Sequence, residues 1–395
     1  SIRVLKPLSP DILLDYNALI YIARSYQRLD QAAKSLPYFK AILNTRSRYK
    51  ANALYYLYDL SESESDKARY KAQLYRHYPE SEFISRIVWE RVEPLLIQGD
   101  WPAAAAILEA YTGKLPVKLL YWKAVVGDQA QLFNQILDRF PNSYYAYRAT
   151  QQMGQPIRRL VSDDALILPD DYRLFIAIGL PELIRVDTQT STDNYEQIAY
   201  SYWLTGEYDR AIRTIRAHHE PYYPYADNTV ADRLQPILYP KPYFSIVQKY
   251  AQAFDIPVYL VLALMREESL FNATAVSRVQ AMGLMQLMPS TAKSIAADLG
   301  IPWTGSRVLL DPETNIRFGC YYLSQLYQQF KRWDLAIMAY NAGPSRVRSW
   351  QQQYNASLSP DQFLISIPYP ETYIYTKHVL QSYFMYQRLY NGDSS

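Results

Sequence analysis

Tyr202-Trp203-Leu204-Thr205-Gly206-Glu207-Tyr208-Asp209-Arg210-Ala211 joins two apolar-striped segments through a turn that contains a glycine. Ala199, Tyr200, Trp203 and Leu204 lie before or at the turn, and Tyr208, Ala211, Ile212 and Ile215 after it. That spacing predicts two amphipathic helices that set large residues against small ones. Leu95-Leu96-Ile97-Gln98-Gly99-Asp100-Trp101, followed by Ala103 to Leu108, repeats the layout, and so does Tyr26-Gln27-Arg28-Leu29-Asp30-Gln31-Ala32-Ala33. His77-Tyr78-Pro79-Glu80-Ser81 echoes Arg139-Phe140-Pro141-Asn142-Ser143, and each proline is expected to open a new helix. The copies are irregular, so the reading is a degenerate α-solenoid.

Helix pairs of this kind are tetratricopeptide-like. The composition agrees, because 12 glycines in 395 residues leave few left-handed turns and favour long helices with short connections. The many aromatic residues, 39 tyrosines among them, read first as packing between helices. Lys and Arg number 41 against 38 Asp and Glu, and they are scattered, which argues against a nucleic-acid partner. The single Cys320 cannot form an internal disulfide or a zinc site alone, and no histidine pair has metalloprotease spacing. No metal or organic cofactor is expected. The longest apolar run, Val258 to Met265, is far shorter than the roughly 20 residues of a membrane helix. No signal peptide is visible at Ser1, so an export signal is expected to have been removed or to lie outside this sequence.

The pattern changes over Glu220 to Lys241, where Pro221, Pro224, Pro236 and Pro240 interrupt the helices. This stretch is expected to connect two domains, 1–235 and 236–395. Beyond it, Asp255 is expected to cap a helix with Pro257 in its first turn, running from Val258 to Ser269. That helix is apolar nearly all round, hence buried, yet it ends in Glu267 and Glu268. A carboxylate there is a solvated last-turn residue, half of a buried ion pair with Arg266 or another cation, or a general acid kept protonated by burial. Val261, Leu264, Met265 and Glu268 share one stripe, while Leu260, Ala263, Leu264 and Glu267 share another. Periodicity leaves the choice open.

Four strings follow in order: Glu268-Ser269, Gly283-Leu284-Met285-Gln286, Ala339-Tyr340-Asn341-Ala342-Gly343, and Ile367-Pro368 with Glu371-Thr372. By them the chain from about Pro242 to Tyr390 resembles the soluble lytic transglycosylases of bacterial cell walls. The resemblance implies an all-α protein, a degenerate tetratricopeptide-like solenoid followed by a lysozyme-like α domain. Tyr144-Tyr145-Ala146-Tyr147-Arg148-Ala149 adds a softer likeness in the solenoid half. Carried over by position, it implies that Glu268 is the catalytic acid and Glu267 has no part in the chemistry. Ser277, Gln286, Met288, Tyr340, Glu371 and Tyr375 would line the glycan cleft, and Asn341 would hold its loop. This chain departs from the family at Gln280, where glycine is usual, and at Tyr373, where arginine is common. A small β-hairpin near Ser277 to Met285 is also compatible with the sequence.

The implied activity is cleavage of the β-1,4 bond between N-acetylmuramic acid and N-acetylglucosamine, with formation of 1,6-anhydro-muramic acid. The residues fit one-carboxylate chemistry, since no Asp or Glu lies between Glu268 and Thr291. Asp298, Asp311, Glu313 and Asp334 read as helix-surface or capping residues. The alternatives are a lysozyme-like hydrolase of peptidoglycan or chitin, and a non-catalytic glycan-binding scaffold. The expected partners are peptidoglycan glycan strands, with the solenoid open to other cell-wall enzymes, and the expected location is the periplasm or cell envelope.

Overall fold

In the computed structural model, which describes residues 18–79, 81–111, 115–160, 195–219, 230–354 and 358–391, every regular element among the described residues is helical. The chain divides into two compact units, residues 1–127 and 128–395. No described helix is long and apolar enough to cross a membrane.

The first unit runs α1 (Ala18–Arg28), α2 (Ala32–Leu43), α3 (Lys50–Leu60), α4 (Glu64–His77), α5 (Glu82–Gln98), α6 (Trp101–Ala110) and α7 (Val117–Val126). Successive helices pack as neighbours except α4 and α5, where α5 packs on α3, and the turns fall where the repeats put them, with Asp30 and Gly99 in left-handed conformations. Aromatic residues join the pairs: Phe39 stacks on Tyr56 at 4.9 Å and Tyr55 on Phe83 at 4.9 Å. Asp100 caps α6 by accepting from the Ala103 amide. The proline echo needs a correction. Ser81 caps α5 and Ser143 caps α9 (Tyr144–Gln152), each two residues after its proline, so the prolines precede the helix starts and do not form them.

The second unit holds α8 (Ala130–Arg139), α9, α10 (Tyr195–Leu204), α11 (Tyr208–His219), α12 (Gln235–Leu238), α13 (Phe244–Ala253), α14 (Val258–Ser269), α15 (Pro289–Asp298), α16 (Pro312–Phe330), α17 (Trp333–Ala342), α18 (Pro344–Gln353), α19 (Pro360–Ser366) and α20 (Pro370–Tyr390). Helix α14 is central, with Leu260 to Met265 all buried, and it lies along α20. Asp255 does not cap it: Asp255 is left-handed (φ 54°), and Pro257 takes the cap position with no side-chain bond.

The Tyr144–Ala149 stretch sits against the C-terminal helices. Arg148 makes a two-pronged ion pair with buried Asp361 (2.7 and 2.9 Å), Tyr144 adds a bond of 3.2 Å, and Lys377 donates to the Tyr145 hydroxyl at 3.2 Å. Residues 220–229 of the expected connection, with Pro221 and Pro224, lie outside the described residues. Its described part is closely packed. Leu234, Ile237 and Leu238 are buried, and the Tyr386 and Tyr390 hydroxyls donate to the carbonyls of Pro240 and Tyr239, both at 2.8 Å.

Candidate active site

Glu267 and Glu268 take two of the three roles open to them, on different faces of the last turn of α14. Glu267 is the ion-pair half. Arg266 and Ser382 both donate to its Oε1, the latter at 2.7 Å, while Arg216 of α11 and His378 of α20 stand 3.9 and 4.0 Å from Oε2. Burial pushes the Glu267 carboxyl up, but the two arginines, His378 and Ser382 outweigh it and hold the group at about 2. Arg266 is itself buried over the Tyr239 ring, donating from Nε to the Leu238 carbonyl at 2.7 Å.

Among the described residues no cation pairs with Glu268. Its Oε1 accepts from the Tyr375 hydroxyl at 2.5 Å. Burial pushes its pKa up to about 7, the charge of Glu267 adds to this, and the Tyr375 bond opposes it. The negative end of the α14 dipole acts in the same direction as burial. Tyr340, on α17, senses the charge of Glu268: burial first, then that charge, raises its pKa well above the ordinary phenol value. A carboxyl poised near neutrality between two tyrosines is equipped to give a proton and take one back.

The loop after α14 completes the site. Ser269 anchors its start by donating to the Leu284 carbonyl at 2.8 Å. Two isolated antiparallel bridges, Val276–Met282 and Met282–Leu287, stand where a small hairpin was compatible with the sequence. Gly283 is left-handed, and a Cβ on it would lie 2.1 Å from the Leu309 carbonyl oxygen, so no larger residue fits. Gln280 takes a left-handed φ of 67°, which keeps a glycine-like turn with a residue that pays about 1–2 kcal/mol for it. Ser277 accepts from the Ala281 amide at 2.9 Å. Gln286 donates to the carbonyls of Gly283 and Ala275 (2.9 and 3.2 Å), which turns its amide onto its own loop, and Met288 is exposed.

The residue that binds this loop to the helices was missed in the sequence. Asn315, fully buried on α16, accepts from the Met285 amide at 2.8 Å and donates to the carbonyls of Met282 (2.9 Å) and Leu309 (2.8 Å). The Tyr340 hydroxyl donates to the Met285 carbonyl at 2.8 Å, so the same residue is held from two helices. Asn341 ties α17 to the start of α20 by accepting from Thr372 at 2.7 Å. Glu371 is exposed in the first turn of α20, one turn before Tyr375 on the same face. It does not hold Tyr340, whose hydroxyl is given to Met285. Tyr373, at the second departure, lies 5.2 Å from the Lys377 ammonium.

Protonated Glu268 predicts a measurable stability effect. Its folded-state pKa lies above the unfolded one, so its contribution is complete below about pH 4.5 and is lost as pH rises through about 7. The loss is about 3 kcal/mol. Glu268→Gln is therefore expected to melt a few degrees above the wild type at pH 8 and to show no such gain at pH 4. A melting curve at the two pH values reads this directly.

An apolar helix that ends in a half-buried acid, beside tyrosines from two further helices and a tightly hydrogen-bonded loop, is the arrangement of a lysozyme-like domain. Residues 245–362 match the family model of the transglycosylase SLT domain. These residues thus carry a transglycosylase SLT domain, and over that region the chain is similar to soluble lytic transglycosylases. The soluble lytic murein transglycosylase of Escherichia coli (strain K12) is 40% identical over 157 residues, which is 39% of this chain and 24% of that protein. The putative soluble lytic murein transglycosylase of Haemophilus influenzae is 36% identical over 156 residues, 39% of this chain and 26% of that one. The matched region thus spans about a quarter of these relatives' length. Among solved structures, the 70 kDa soluble lytic transglycosylase from Escherichia coli is similar with a TM-score of 0.62 and 23% identity, over 95% of this chain and 62% of that one. An inactive mutant of the lytic transglycosylase Slt from Pseudomonas aeruginosa has a TM-score of 0.61 and 23% identity, over 98% and 69%. At this identity the likeness shows the fold, which is all-α as expected.

Proposed function

We propose that this chain is a peptidoglycan lytic transglycosylase, with residues 236–395 as the catalytic part, residues 1–235 as the solenoid, and Glu268 as both acid and base. The observation that carries the proposal is the pair of fates in α14: Glu267 is neutralised by arginine, while Glu268 is half-buried, bonded to Tyr375 and paired with no cation among the described residues. Protonated Glu268 gives its proton to the glycosidic oxygen as the bond to the N-acetylmuramic acid anomeric carbon breaks. The N-acetyl oxygen of that sugar attacks the same carbon and holds its positive charge as an oxazolinium ion. Glu268, now a carboxylate, takes the proton of the sugar's C6 hydroxyl, and O6 displaces the acetamido oxygen to close the 1,6-anhydro ring. No water is consumed.

Ser277, Gln286, Met288, Tyr340 and Glu371 are proposed to line the glycan cleft, with Tyr375 orienting the acid and Asn341 steadying the loop. The other carboxylates near these helices are engaged. Asp311 caps α16, Glu313 pairs with Lys249, Asp334 with Arg332, and Asp361 with Arg148. The proposed substrate places the protein in the periplasm or cell envelope. The Escherichia coli 70 kDa enzyme has been solved in complex with bulgecin A, which offers a ligand to try on this chain.

A second reading is hydrolysis with Glu371 as base, favoured by the exposure of Glu371 one turn from Tyr375. Mass spectrometry of products from purified sacculi separates the two. Muropeptides ending in 1,6-anhydro-muramic acid, one water lighter than hydrolytic products, are expected. Reducing-end products, together with an inactive Glu371→Gln protein, would establish the hydrolase.

A further inference from the structure

Behind the proposed acid lies a set of charges that the reaction scheme does not use. Arg266 and Arg216 bring two positive charges to the last turn of α14, from α14 itself and from α11. Glu267 answers both, and it also bonds to Ser382 and stands beside His378 on α20. Three helices are therefore joined at one carboxylate, one residue before Glu268.

We propose that Glu267 is a positioning residue for the reaction: it pins the end of α14 to α11 and α20, and it offsets the two arginines so that Glu268 keeps its proton until substrate arrives. The inference rests on the reading of Glu268 as the acid. Without the Glu267 charge, the repulsion that helps to keep Glu268 protonated is lost and the two arginines at the neighbouring residue are left unanswered, which favours the carboxylate form of Glu268. The remaining groups around this turn do not replace it. His378 loses basicity through burial, although Glu267 opposes this, and Tyr340 and Tyr375 are both held in the phenol form. Lys377 is turned to Tyr145, and Tyr386, which also senses Glu267, gives its hydroxyl to Pro240. On α13, packed against α14, Lys249 pairs with Glu313 of α16, and on the following loop Arg278 is exposed. Glu371 is exposed.

The test is the pH profile of kcat/KM on purified sacculi for the full chain and two variants. Activity needs protonated Glu268, so the profile falls as pH rises through the pKa of that group. Glu267→Gln is expected to move this limb down by about 0.5–1 pH unit, and Arg216→Gln to move it up. A variant that merely loosens packing lowers the whole curve and leaves the limb in place. If Glu267→Gln does not fold, the Arg216→Gln limb decides alone. Limbs that stay at the wild-type pH, or that move in the same direction, overturn the inference while leaving Glu268 as the acid. An active Glu268→Gln protein overturns both.

Discussion

Glu268→Gln is expected to leave a folded protein that releases no anhydro-muropeptides. Glutamine keeps the size of the side chain and can still meet the Tyr375 hydroxyl, but it has no proton to transfer. General acid–base catalysis is worth about 10²–10⁴ in rate, and in the proposed scheme one carboxyl serves both half-reactions, so the loss is expected at or beyond the upper end. Turnover of purified sacculi by the variant, normalised to folded protein, measures it. Activity within tenfold of the wild type would show that another group carries the proton.

Asn315→Ala has the second largest effect, and it acts on the fold of the site. Two backbone groups, the Met285 amide and the Leu309 carbonyl, lose their buried partner at once, while the Met282 carbonyl keeps the Leu287 amide. Each buried group left unsatisfied costs about 1–3 kcal/mol. An unfolding loss of about 2–6 kcal/mol in the second unit is expected, partly relieved where a water enters. Activity falls as well, because Met285 also receives the Tyr340 hydroxyl. Urea unfolding followed by tryptophan fluorescence gives the stability change. Asn315→Asp, which keeps the acceptor for the Met285 amide and loses the two donations, should fall between alanine and wild type. If alanine and wild type unfold at the same urea concentration, Asn315 does not anchor the loop.

The difference between these two residues shows what a sequence can reveal here. Glu268 was legible because a carboxylate at the end of an apolar helix breaks the pattern around it. Only the four strings point to it over Glu267, since both residues continue an apolar stripe and their tertiary partners differ. Arg216, which helps to neutralise Glu267, comes from a helix 51 positions earlier in the numbering and leaves no local trace. Asn315 did leave one: with Phe318, Gly319 and Tyr322 it lies at i, i+3, i+4 and i+7, a lone amide on an otherwise apolar or small stripe. Its meaning depends on a loop thirty residues earlier. The turns at Gly99 and Gly206 were readable because a left-handed backbone asks for glycine locally. Asp255 misled for the complementary reason, since an aspartate can cap a helix or take the left-handed turn before it, and only the backbone decides.

The central claim is that the sugar's own C6 hydroxyl, and not water, closes the reaction. Digestion of purified sacculi in water enriched in oxygen-18 tests it most directly. The account predicts muropeptides that carry no heavy oxygen at the anomeric carbon and have the mass of the 1,6-anhydro form. One oxygen-18 per cleavage, in products that end in a reducing sugar, would contradict it.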